Sequence, residues 1–483
     1  MLKSMRMKIS TYIGHLLCLQ SSRLQHCSQG SGETVLRGAI LDRQWVSSCR
    51  VNLEESRSCM SDHTIRPKSN ENGIDVEHQA DQAANGSFSH VVINMIGMLI
   101  GLGQLSIPYA METGGWTSIF LLIGLGIIAA YSSLLLGKCL DKNPKLTSYK
   151  DIAQHAFGTK GKILTSTLIY MEIFMALVSY TISLHDNLIT VLAGTHIKVP
   201  WTKLSTSHLL TIIAVLIALP SLWLRDLSSV SFLSSGGIVM SLLIFISVAW
   251  TAIFGDVKPN HSIPVLHIHN IPRIFGLYIF SYAGHIVFPN LHKEMKDPSR
   301  FAKASILSFT LVTALYTALA FMGARLYGPE VNPQITLSMP RHLLLTKIAL
   351  WATVLTPMTK YALEFAPLAI HLEHKLPVKM SSKLKMIIRG SVGSLLLVLI
   401  LALALSVPYF EYALSFTGSL VSVGICVIFP CAFYCKICWG QISKPVLMLN
   451  FTLIAFGSLL GVLGTISSSK LLVESLQKRA HLA

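Results

Sequence analysis

An all-α, polytopic membrane protein with eleven transmembrane helices is the fold class this sequence predicts. Three observations carry it. Of 483 residues, 52% are hydrophobic and only 13% charged, against about 25% charged in an ordinary soluble domain. Mean hydropathy is +0.57. From Ser89 onward, apolar runs recur at about 89–111, 115–137, 163–193, 207–224, 229–254, 271–290, 303–327, 342–371, 386–407, 409–434 and 446–467, and roughly 20 residues suffice to span a bilayer. Lys and Arg are twice as frequent in alternate loops as in the loops between them. Lys138, Lys142, Lys145, Lys150, Lys293, Lys296, Lys383 and Lys385 belong to the richer set. That asymmetry puts the N-terminus in the cytosol, and an odd number of spans then puts the C-terminus on the other side. The net charge of +16 therefore faces anionic lipid and excludes nucleic acid as the partner.

Residues 1–88 are polar and mixed in charge, and read as a disordered cytosolic tail. The absence of any acidic residue before Glu33 faintly resembles a transit peptide, and the disordered tail is preferred. Residues 89–467 form the eleven-helix domain, and 468–483 a short non-cytosolic tail. Asn260-His261-Ser262 is a glycosylation sequon in a non-cytosolic loop, whereas Asn450-Phe451-Thr452 lies inside a span and is expected to stay bare. Cys426, Cys431, Cys435 and Cys438 cluster near the end of the tenth run. Packing or palmitoylation explains them better than a metal site does.

The first run is poorly built for a continuous helix. Gly97, Gly101 and Gly103 weaken it, Pro108 removes a donor, and Gln104 brings an amide to membrane depth. Freed backbone groups survive there only inside protein or around a polar cavity. The sixth run repeats the pattern. Gly276 and Gly284 loosen it, Ser281, Tyr282 and His285 are polar, and Pro289 follows Gly284 by five residues as Pro108 follows Gly103. First and sixth are corresponding members of two five-helix blocks, which is the arrangement of transporters with inverted repeats. A half-helix N-terminus suits a carboxylate, and unwound carbonyls suit an ammonium. A zwitterionic amino acid satisfies both.

The run from Gly101 to Ala110, GLGQLSIPYA, followed by Gly114-Gly115-Trp116, resembles the first-helix signature of the amino acid/auxin permease family. Ser281-Tyr282-Ala283-Gly284-His285, Phe288-Pro289 and Met295-Lys296-Asp297-Pro298 resemble its sixth-helix signature, and Thr356-Pro357-Met358-Thr359-Lys360-Tyr361-Ala362-Leu363 is similar to the eighth helix of the plant and fungal vacuolar branch. The resemblance covers about residues 88–467. It implies a LeuT-like fold, five plus five inverted helices and one extra, with proton-coupled transport of amino acids by alternating access at a vacuolar membrane. A small amino acid is then expected to bind between segments one, three, six and eight. Gln104 departs from the usual Ile or Leu after the Gly-x-Gly.

Gly101, Gly103, Gln104, Ser281, Tyr282 and Gly284 are thus the candidate substrate-binding residues. Glu172, His285 and Lys360 are candidates for proton coupling, because a charge at the bilayer centre costs about 2.5–3.5 kcal/mol and calls for a reason. Lys360 and Glu364 share a helix face and either pair structurally or let Lys360 exchange a proton in place of a sodium ion. Imidazole exchanges protons near neutral pH, so His285 is either a carrier or a packing residue. No cofactor is expected. No His-rich metal box, nucleophile elbow or phosphate-cradling loop is present, which argues against an enzyme. The alternative to a transporter is an amino-acid-binding membrane sensor that signals through its tail. With a cytosolic N-terminus, the transporter either exports from an acidic vacuole with protons or loads it by antiport.

Overall fold

A computed structural model describes residues 86–193, 206–223, 227–255, 263–375 and 381–482. The Asn260 sequon and almost all of the expected tail lie outside these residues. Everything described is helix and short connections, apart from one isolated bridge between Gly86 and Met295. Helices α1 (Phe88–Leu99) and α2 (Gly103–Gly114) make up the first apolar run. They are followed by α3 (Ser118–Lys142), α4 (Tyr149–Val191), α5 (Thr206–Trp223) and α6 (Leu227–Phe254). The sixth run is again two pieces, α7 (Ile271–Ser281) and α8 (Phe288–Glu294). Beyond it come α9 (Phe301–Tyr327), the short α10 (Ile335–Ser338), α11 (Leu344–Lys375), α12 (Ser382–Ser406), α13 (Phe410–Ile437) and α14 (Lys444–Leu482).

Among the described residues, seven helices are long and apolar enough to cross a membrane, and α1 with α2, bent by 57°, is an eighth when the bent pair is taken as one span. Their outward faces carry large apolar side chains, including Phe120, Ile127, Trp250 and Val462. Such a girdle is unfavourable in water and natural in lipid. The protein is an integral, multi-pass membrane protein.

Local chemistry explains most boundaries. Ser87 caps α1 by accepting from the His90 amide. Ser148 and Asp151 form a capping box at the start of α4, which then kinks at Gly158. Gly158 has φ +67°, a conformation that a residue with a Cβ adopts only under strain. The middle of α13 winds as π turns at Gly418–Ser422 and Gly424–Ile428, and such turns concentrate at functional positions.

Of the residues expected to weaken the first run, Pro108 is accommodated within a helix. The break is at residues 100–102, and Pro108 sits inside α2 packed on Gly323 of α9. At the C-terminal end, α14 runs unbroken through residues 468–482. Ser, Lys, Leu and Glu there continue a helix well, and Lys470 lies 4.0 Å from Glu474, one turn on.

Candidate functional site

The two breaks meet. At Gly103, the first residue of α2, a Cβ would stand 2.6 Å from the Cα of Ser281, the last residue of α7. Only glycine permits that approach. The hydroxyl of Tyr316, buried in α9, lies between the two helix ends. It reaches the Leu99 carbonyl at 2.7 Å and the Ser281 carbonyl at 3.1 Å. These are the terminal carbonyls of α1 and α7. On the far side of each gap a new helix begins. Gln104 N donates to Gly101 O at 3.3 Å and Leu105 N to Leu102 O at 3.0 Å, while Val287 N donates to Gly284 O at 3.1 Å. Two helix C-termini, each with partial negative charge, and the N-terminus of α2, with partial positive charge, are therefore brought to one region.

Both outer and inner ends of the broken pair are tied as well. At one end of the bundle, Gly86 N donates to Glu294 O at 2.8 Å and Lys296 N to Gly86 O at 3.1 Å, and the Arg300 guanidinium lies 4.6 Å over Phe88. At the other end, Trp116 N donates to Pro264 O and Thr117 N to Val265 O, both at 3.0 Å, and Asn270 Nδ2 donates to Thr113 O at 2.8 Å.

The expected substrate-binding residues divide. Gly101, Gly103 and Ser281 line the meeting point. A Cβ on Gly101 would come within 3.5 Å of Tyr180 Oη, on α4. The Ser281 hydroxyl, however, is committed to Leu277 O at 2.8 Å, so this residue presents its backbone. Gln104 is buried and turned to α6, donating from Nε2 to Ser241 O at 3.4 Å, while its Oε1 has no partner. Tyr282 points away from the gap, donating to Thr313 Oγ1 at 3.0 Å with its ring 5.6 Å from that of Tyr316. Thr313 also lines an open, largely apolar groove of about 930 Å³ between α3 and α9. A Cβ on Gly284 would make only ordinary contacts, with Leu99 and Phe288 at 3.4 Å.

The ionisable candidates are all buried, each on a different neighbour. His285 Nε2 lies 3.0 Å from Ala129 O and 2.9 Å from Ser132 Oγ. A carbonyl only accepts, so Nε2 carries the hydrogen of the neutral ring and Nδ1 is bare. Nδ1 is buried and has no partner. Glu172 accepts from Ser422 Oγ at 2.7 Å, which joins α4 to the π-wound stretch of α13. Lys360 extends from α11 to the Gly97 carbonyl in the last turn of α1, at 3.3 Å. Carbonyls there have lost their next-turn partner to the break. Glu364 lies within electrostatic range of Lys360, and also of Glu172 and Tyr180. Cys139, Cys426, Cys431, Cys435 and Cys438 are free and buried.

Sequence reasoning did not single out Tyr316 or Tyr180. Both sit among aromatic and apolar residues in ordinary-looking spans, and nothing in their neighbourhood along the chain marks them. Only the three-dimensional convergence of the breaks does.

A multi-pass membrane protein whose two interrupted helices converge on freed backbone groups has the architecture of a small-molecule carrier. The model of the transmembrane amino acid transporter protein family matches residues 84–470, and the chain belongs to that family. Over 433 residues it is 58% identical to "Amino acid transporter AVT1H" of Arabidopsis thaliana, spanning 89% of this chain and 98% of that one. It is 38% identical over 386 residues to "Amino acid transporter AVT1E" of the same plant, with 79% and 73% covered. A crystal structure of MhsT in complex with L-phenylalanine is similar with a TM-score of 0.48 and 13% identity, over 78% of this chain and 98% of that one. The family is one of transporters, not enzymes, and amino acids are the substrate class it implies.

Proposed function

We propose that this protein is a secondary active, proton-coupled amino acid transporter that works by alternating access, with its substrate held where the two breaks meet. The observation that carries the reading is the close approach of Gly103 to Ser281. It places helix ends of both polarities together, which is the complement of a zwitterion. Eleven spans in a five-plus-five inverted repeat with one extra helix agree with helix occurring in each of the eleven apolar runs and with corresponding runs being broken.

Proton coupling rests on buried ionisable groups around the breaks. The bare Nδ1 of His285 is a vacant proton acceptor next to the second break. The Lys360 ammonium occupies a freed carbonyl of α1, the kind of position a bound cation would fill. Glu172 is the third candidate, acting through Ser422 on α13. The loop charges support a cytosolic N-terminus, and the family resemblance alone supports a vacuolar membrane. Residues 1–88 and 468–483 are assigned to tails of the transporter domain, α14 running through the second as far as Leu482.

The test is uptake by proteoliposomes across a panel of labelled amino acids, under imposed pH gradients of both signs. Uptake that follows the gradient and collapses with a protonophore is expected. Failure of every amino acid under both gradients overturns the reading. A sensor that signals through its tail would give substrate binding without flux.

A further inference from the structure

We propose that Tyr316 is a positioning residue for the substrate's ammonium group, one that sets the spacing of the two carbonyls that receive it. The proposal rests on the reading of the breaks as the substrate site.

A tyrosine hydroxyl has one hydrogen, yet this one is within hydrogen-bond distance of two carbonyls, Leu99 O at 2.7 Å and Ser281 O at 3.1 Å. Both belong to the last residue of a helix, so neither has a next-turn amide to satisfy it. The two helices come from separate runs, 182 residues apart by the position of their last members. Nothing in either run fixes the distance between these ends. Gly103 allows the breaks to approach, but a glycine holds nothing in place. The hydroxyl is the group that bridges them.

Two helix C-termini directed at one point create a region of negative potential. A single neutral hydrogen satisfies it incompletely, since each carbonyl oxygen has two lone pairs. An ammonium group brings three hydrogens and a full charge, and makes the stronger, charge-assisted bonds. Tyr316 leaves acceptor capacity on both oxygens while holding them close together. Its own orientation is fixed from behind, because its ring is buried and packs 5.6 Å from Tyr282, which is in turn anchored on Thr313.

Removal of the hydroxyl should therefore weaken recognition of the ammonium group more than recognition of the rest of the substrate. The experiment uses the full chain in proteoliposomes. Uptake of the best-transported labelled amino acid is inhibited by the same unlabelled amino acid and, separately, by its analogue lacking the amino group. The ratio of the two half-inhibitory concentrations is the readout. In the wild type the amino acid is expected to win by a wide margin. In Tyr316→Phe that ratio should fall about tenfold, or about 1.4 kcal/mol, with KM raised more than maximal rate is lowered. General damage to the bundle would weaken both inhibitors alike.

Tyr316→His is the second variant, in case the first does not fold. Its shorter ring cannot reach both carbonyls, so the ratio should fall there too. An unchanged ratio in either folded variant overturns the role of Tyr316. Absence of uptake in the wild type overturns the transport reading itself, and the two failures are distinct.

Discussion

The two breaks solve one problem in different ways. In the first run only residues 100–102 separate α1 from α2, and the chain turns within a few backbone hydrogen bonds. In the sixth run the gap is residues 282–287, about twice as long, and it carries Tyr282 and His285. The first break contributes mainly backbone: the Leu99 and Gly97 carbonyls are taken by Tyr316 and Lys360, and Gly103 makes room for Ser281. The second contributes side chains, with His285 clamped on α3 and Tyr282 on α9. Proline is used differently as well. Pro289 stands in the first turn of α8, where its missing N–H costs nothing, whereas Pro108 lies within α2. A short break fixes where polar groups point, and a long one has room to change partners. The proposed substrate position thus draws on backbone of both breaks, and the proposed proton site on a side chain of the second.

The strongest way to test this contrast is to fill the first break. Gly103→Val should abolish uptake, since the added carbons collide with the Ser281 backbone and overpacking of a close contact costs about 1–3 kcal/mol. Uptake and thermal stability of purified protein check it, and near-normal uptake would refute the close approach. Next is the second break. His285→Phe keeps a ring but strips Ala129 O and Ser132 Oγ of a donor, which should cost about 1–3 kcal/mol. Uptake should lose its dependence on the imposed pH gradient while exchange of labelled for unlabelled substrate persists.

A side-chain change at the first break should matter less. Gln104→Leu removes one long hydrogen bond and an unpaired acceptor together, so stability should change by less than about 1 kcal/mol. Uptake should survive with a shifted preference among polar and apolar substrates. Complete loss would mean that side chains, not backbone, define this break.

The smallest effect is expected at the far end of α8. Burial holds His292 below its ordinary value, against the pull of the Asp141 carboxylate 2.9 Å away. Its unfolded form binds a proton more readily, so its contribution is complete above about pH 6.5 and is lost as pH falls towards the folded value. His292→Gln should flatten that part of a melting-temperature profile.

Much of this was legible along the chain. Apolar runs give helices because backbone groups in lipid must be satisfied within a segment, and the glycine-rich stretches announced both breaks. The exact position of the first break was not, because a proline warns of a missing hydrogen bond without saying whether packing compensates. At Pro108 the ring lies against Gly323, where a larger residue would not fit. Gly101, Gly103 and Ser281 converge as their motifs suggest, but through backbone. The Ser281 hydroxyl turning to Leu277 and the Tyr282 hydroxyl turning to Thr313 depend on neighbours that no local pattern specifies. Tyr316 was invisible for the same reason.

The lone bridge at Gly86 has a mechanical meaning. It couples the start of α1 to the end of α8, and Tyr316 couples the end of α1 to the end of α7. α1 is thus pinned at both of its ends to the other broken helix. It behaves as the rung of a ladder rather than a free lever: it tilts only if α8 tilts with it, or after the Gly86 latch has let go. A tilt of α1 without α8 therefore has a discrete first step, the parting of two backbone hydrogen bonds.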